Sequence, residues 1–128
     1  MEYNLDLLRI KILKEVVENI FIAPLCKNFE NGTINVVKPS IVNNGLIDED
    51  KFDKCEYDEK FEKSFLKKGD ILFQAKGNKF EATLINKDYE NLISNQIYFN
   101  IRVSQQILPE YLVWYLNSEE AKLYYEKN

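Results

Sequence analysis

The sequence predicts an α+β fold with an N-terminal helix, a curved and mostly antiparallel sheet of short strands with long polar loops, and two closing C-terminal helices. Two observations carry this expectation. Apolar residues recur at helical spacing only near the two ends of the chain, and the stretch between them reads as short β-prone runs separated by Gly-containing turns and polar segments. At 128 residues the chain is expected to form a single domain, residues 1–128, around one core.

Leu5, Leu8, Ile12, Val16 and Ile20 fall three or four residues apart, which places them on one face of a helix expected from about Asn4 to Glu18. Asn19 to Leu25 reads as a short strand stopped by Pro24. Asn31-Gly32 is a turn signal before the β-prone stretch Thr33 to Val37, and a second strand, Ser40 to Val42, runs into the Asn44-Gly45 turn. Lys67-Lys68-Gly69-Asp70 reads as a turn in which the Asp carboxylate caps backbone N–H groups. It feeds a strand at Ile71 to Gln74, which Lys76-Gly77-Asn78-Lys79 separates from another at Glu81 to Ile85. Across Ile93 to Val103 the alternation puts Ile97, Phe99, Ile101 and Val103 on a buried side and Gln96, Tyr98, Asn100 and Arg102 on a polar one. Pro109 suits the first position of a helix burying Leu112, Tyr115 and Leu116, and Ser118 is placed to cap a second helix carrying Leu123 and Tyr124.

With 45% hydrophobic and 30% charged residues, 4 Gly and 3 Pro, the composition is that of a globular protein. There is no apolar run long enough for a membrane span and no secretion signal, so a cytoplasmic location without membrane association is expected. The chain contains no histidine, which excludes a Ser-His-Asp triad, a Cys-His dyad and an HExxH metal helix. Cys26 and Cys55 are expected to be reduced, half-buried apolar residues. No catalytic residue, cofactor or metal site is predicted; the acids between Asp48 and Glu62 lack the spacing of a calcium loop.

The net charge of −4 is unevenly spread. From Asp48 to Glu62 there are eight acids against three lysines, a local −5, so the rest of the chain is close to neutral and able to present a basic face. Phe52, Tyr57, Phe61 and Phe65 predict that this acidic segment packs on the body as a surface loop or helix.

Taken in order, FLKKGDILFQAKGNKFEATLI from Phe65, LISNQIYFNIRV from Leu92 and ILPEYLVWYLNSEEAKLYYE from Ile107 resemble the target-recognition domain of type I restriction-modification specificity subunits. The matching parts are Gly69-Asp70-Ile71-Leu72, the loop Lys76 to Lys79, the segment Ser94 to Arg102, and Pro109 to Ser118. Upstream, Ile34 to Asp48 and the helix at Leu13 to Ile20 are similar to the family's opening elements. The likeness covers about residues 10 to 126. It departs from the family pattern at Glu81-Ala82, where many members carry a second loop glycine. It also stops at Asn128, before the long helices by which full subunits dock their partners, so a single half is expected, whether as a fragment, a half-subunit or a free-standing relative.

The resemblance implies sequence-specific binding of double-stranded DNA, with the reaction left to methyltransferase and endonuclease subunits and with a second half-subunit or a homodimer completing the site. Duplex reading needs amides and cations that reach base edges and phosphates. The candidates are Lys38, Ser40, Asn43 and Asn44 in one connection, Gln74, Lys76, Asn78 and Lys79 in a second, and Ser94, Asn95, Gln96 and Arg102 around the third strand. Tyr111, Trp114, Tyr115, Tyr124 and Tyr125 are assigned to the core rather than to base stacking. A different class of reading is a non-enzymatic interaction module that uses its acidic segment to hold a basic partner of a restriction complex. A small metal-dependent nuclease is a third.

Overall fold

The computed structural model describes residues 17–76, 79–104 and 107–127. Its elements run β1 (Val17–Phe21), β2 (Ile34–Val37), a 3-10 turn (Pro39–Ile41), β3 (Val42–Asn43), β4 (Leu46–Ile47), a 3-10 turn (Glu49–Lys51), β5 (Asp53–Cys55), a 3-10 turn (Glu59–Ser64), β6 (Ile71–Lys76), β7 (Lys79–Leu84), β8 (Leu92–Ser94), β9 (Tyr98–Val103), and helices α1 (Pro109–Leu116) and α2 (Glu119–Lys127). The fold is mixed α+β with mostly antiparallel sheets.

One sheet is antiparallel throughout, in the order β1-β9-β6-β7. A smaller one has the order β5-β2-β8, with β2 and β8 parallel, and β3 and β4 form a separate hairpin. On one face of the large sheet Ile71, Ala82 and Ile101 pack under Leu112 and Leu116 of α1. On the other, Leu72 and Tyr98 join Val37, Ile41, Val42, Leu66, Ile85 and Leu92. A third cluster, Ala23, Ile34, Val36, Cys55, Phe61 and Ile93, is contributed by the small sheet and its flanking segments. Ile71 and Leu72 are neighbours that point to opposite faces and are both wholly buried, each contributing roughly 1.5–3 kcal/mol. The large sheet is therefore a middle layer.

That layering buries residues on both sides of the last strand, including the side expected to be polar. Tyr98 and Asn100 are buried, at 2% and 0% exposure, because the small sheet covers their face, whereas Phe99 is 41% exposed. The run also breaks in two: Leu92–Ser94 pairs with β2 in the small sheet, and Tyr98–Val103 pairs with β1 and β6 in the large one.

At the start of the chain, most of the expected helix lies outside the described residues, but Val17 and Glu18 belong to β1, which ends at Phe21. The expected strand at Ser40 to Val42 is mostly a 3-10 turn: Pro39 opens it and the Ile41 N–H donates to the Lys38 carbonyl at 3.2 Å. Within the acidic segment β5 is a strand, Phe61 is buried and Phe52 stacks edge-on against Tyr89 at 5.7 Å, while Tyr57 stays exposed. Tyr111 and Trp114 are exposed rather than in the core. The side chain of Tyr124 lies outside the described set. Cys26 and Cys55 are joined as a disulfide, their Cα atoms 6.0 Å apart, in place of the expected free thiols. The approach is made by chain folding: β5 pairs with β2, and Asn28 forms a bridge with Cys55.

The closing helices match their sequence signals. Pro109 takes the first turn of α1, and the Ser118 hydroxyl accepts from the Ala121 N–H at 3.1 Å at the start of α2.

Candidate functional site

Strand register determines where the polar loops emerge. In the parallel pair Val37 lies opposite Ser94, and the Asn95 N–H donates to the Val37 carbonyl at 2.9 Å. The connections that leave these two strands, carrying Lys38 and Ser40 on one side and Asn95 and Gln96 on the other, therefore start side by side. Three residues later β9 begins at Tyr98, opposite Gln74 of β6. Just beyond, Lys76 of β6 lies opposite Lys79 of β7. Asn44 and Gly45 form the tip of the β3–β4 hairpin, and both have positive φ, 51° and 80°, as a two-residue turn of this kind requires. This tip lines a recess of about 490 Å³ with Phe80 to Leu84 of β7, Asn117 and Lys122.

The segments carrying Lys38, Ser40, Gln74, Lys76, Lys79, Asn95 and Gln96 thus converge at one end of the sheets, and the tip carrying Asn43 and Asn44 lies along the edge of β7. Ser40, Asn43, Asn44 and Gln96 are exposed, and Gln74 is half-buried. Asn95 is partly committed, its Oδ1 accepting from the Ile97 N–H at 3.2 Å. The two lysines whose side chains are described have carboxylate partners: Lys38 Nζ lies 2.9 Å from Asp53 Oδ1, and Lys79 Nζ lies 3.6 Å from Glu81 Oε2. These pairs are partly solvated, so a phosphate can compete for either lysine. Asn78 and the side chain of Lys76 lie outside the described set.

The remaining two candidates have their polar groups engaged within the fold. Ser94 is 1% exposed and its hydroxyl donates to the Asn95 carbonyl at 3.0 Å, so its polar atom faces the interior. Arg102 lies near the far end of β9, where Nε donates to Asp70 Oδ1 at 2.9 Å and Nη2 donates to Asp70 Oδ2 at 2.8 Å and to the Phe65 carbonyl at 3.2 Å. The bond to Asp70 pushes its pKa up further, and the guanidinium also lies over the Phe21 ring at 5.3 Å. Both placements arise from burial that a β-period alone does not report. Asp70 also plays the capping role expected of it, accepting from the Lys67 N–H at 2.8 Å.

Two features of this region are missed by residue-type reasoning. Tyr98 is buried beside Gln74, and burial, assisted by the charge of Glu81, raises its phenol well above the ordinary value. Asn117 binds both polar groups of the Ala82 peptide on the outer edge of β7. Among the described residues, no group of three or more His, Cys, Asp or Glu is placed to hold a metal ion, and no helix is long and apolar enough to cross a membrane. Comparison with protein-family models and with curated proteins gives no match.

Proposed function

We propose that this chain is a sequence-specific double-stranded DNA recognition domain, similar to one half of a type I restriction-modification specificity subunit, with a target-recognition-like fold. In this reading the domain carries no reaction of its own. It positions methyltransferase and endonuclease subunits, and a second half-subunit or a second copy supplies the rest of the DNA contact.

The observation that carries the reading is the convergence of amide- and lysine-bearing segments of β2, β6, β7 and the β8–β9 connection at one end of the sheets, with the β3–β4 tip along the edge of β7. Exposed carboxamides at Asn43, Asn44 and Gln96 have the donor and acceptor pair that adenine presents in the major groove, and Lys38, Lys76 and Lys79 suit phosphates.

Selection from a random duplex pool at a salt concentration on the order of 50 mM tests it, because phosphate contacts are strongest there. The expected result is an enriched short motif that is lost on Gln96→Ala or Asn43→Ala and weakened for all sequences on Lys79→Ala. No enrichment by the chain, either alone or with methyltransferase subunit added, overturns the reading.

A further inference from the structure

At the opposite end of β2 from Lys38, a second recess of about 480 Å³ opens between residues 25–29 and 56–61. The four residues of β2 separate the two regions by roughly 13 Å. Leu25, Phe29 and Tyr57 line this recess while remaining 66%, 46% and 47% exposed, an apolar grouping with nothing packed over it among the described residues.

The walls are fixed on several sides. The Cys26–Cys55 disulfide ties one wall to the other, Asn28 bridges Cys55, and the Phe29 N–H donates to the Lys54 carbonyl at 2.8 Å. Gly32 lies so close to β5 that a Cβ there would sit 2.0 Å from the Cys55 carbonyl oxygen, so the chain returns past β5 only with glycine at this position. The Tyr57 hydroxyl is bonded to Glu62, which orients the exposed ring. Glu56 and Asp58 line the recess with Lys27 and Lys60, and the flanking Glu30, Glu59 and Glu62 bring residues 25–30 and 56–62 to five carboxylates against two lysines. Lys60 is itself laid over the Phe61 ring at 5.2 Å.

Exposed aromatic faces beside carboxylates suit one side chain above others. A guanidinium can stack on a ring while pairing with an acid, and an ammonium does the second better than the first. We propose that this recess docks an arginine-containing basic segment of a partner protein, the guanidinium stacking on Phe29 and Tyr57 and pairing with Glu56 and Asp58 of its lining. The site is independent of the DNA reading, since it lies away from the loop end.

The test is selection of peptides from a random dodecamer library displayed on phage, using the full oxidised chain. The expected outcome is enrichment of sequences with an arginine beside further basic residues. Their synthetic versions should bind at least about tenfold more weakly to Phe29→Ala, Tyr57→Ala or Glu56→Lys, and more weakly when the arginine is replaced by lysine. All of these changes are at exposed positions, and circular dichroism checks that the fold is kept. Absence of basic enrichment, equal binding to the variants, or displacement of the peptide by the selected duplex overturns the proposal. The last outcome would leave the DNA reading standing while removing this one.

Discussion

The carboxamide of Asn117 acts on Ala82 as a one-residue strand: its Oδ1 accepts from the Ala82 N–H at 2.7 Å and its Nδ2 donates to the Ala82 carbonyl at 2.9 Å. β7 is the outer strand of the large sheet, and outer strands leave peptide groups open to pairing with other chains. Asn117 follows α1 directly, so the same contact closes part of that edge and fixes the helix against it. Alanine at 117 leaves both groups of a buried peptide without their partner, which should cost about 1–3 kcal/mol. Urea denaturation of Asn117→Ala should show this loss, and Asn117→Asp should share it because a carboxylate cannot donate to the Ala82 carbonyl. If Asn117→Ala matches the parent midpoint, the contact contributes nothing.

Arg102 and Asp70 make a second two-pronged contact, in which the Asp70 side chain is only 3% exposed and that of Arg102 is 22% exposed. Removing the guanidinium leaves a buried carboxylate with its cation gone, so Arg102→Ala should destabilise by about 3–5 kcal/mol. Arg102→Lys should recover only part of this, since an ammonium cannot supply two parallel bonds as well as the one to Phe65. The same substitution should leave the salt dependence of DNA binding unchanged. A fall in the slope of affinity against salt for Arg102→Lys would place this residue back among the phosphate contacts.

These two contacts show where the sequence is legible and where it is not. Asp70 reads as a capping residue because its role is local, three positions from Lys67, and Ser118 reads as a cap for the same reason. The Asn44-Gly45 turn is equally local. Arg102 and Asp70 are 32 residues apart, and Ala82 and Asn117 are 35 apart, so neither partner can be named before the sheet order is known. Alternation in β9 correctly separates Tyr98 and Asn100 from Phe99 and Ile101, but period two says which residues share a face and not which face meets water. With both faces of the large sheet packed, polar Asn100 is wholly buried, donating to the Phe21 carbonyl at 3.2 Å. For the candidate site, loop residue types were readable, whereas the counter-charges Asp53 and Glu81 came only with the fold.

Burial of tyrosine hydroxyls gives the fold a defined alkaline limit. Desolvation pushes the phenol of Tyr125 up to about 12 and that of Tyr98 higher still, from an ordinary value of 10.0. Below about pH 10 both states are protonated and this contribution to stability is fully present. As pH rises from about 10 towards 12 the unfolded chain loses its phenolic protons first, so stability should fall across that window. The urea midpoint of Tyr98→Phe, compared with the parent at each pH, should show a steadily growing relative advantage for the variant above about pH 10. Parallel curves for the two proteins would show that Tyr98 ionises as easily when folded as when unfolded.

The disulfide between Cys26 and Cys55 joins residues 29 apart in sequence, and closing a loop of that size should stabilise the fold by roughly 3–4 kcal/mol through restriction of the unfolded chain. Its effect should also be local, because Cys55 is fully buried in the small-sheet cluster with Ala23, Ile34 and Phe61, away from the core under α1. Reduction by dithiothreitol, or the paired change Cys26→Ser/Cys55→Ser, should lower the urea midpoint and speed hydrogen exchange in β5 and residues 22–29 first. Amides in β6 and β7 should follow only as the global stability falls. The recess between residues 25–29 and 56–61 has the disulfide across it, so the peptides selected there should lose affinity on reduction while selected duplex binding at the loop end is retained. If reduction weakens both ligands equally, the two ends of the small sheet are coupled through the whole fold. If it weakens neither, the recess is held by the Asn28–Cys55 and Phe29–Lys54 backbone contacts without help from sulfur.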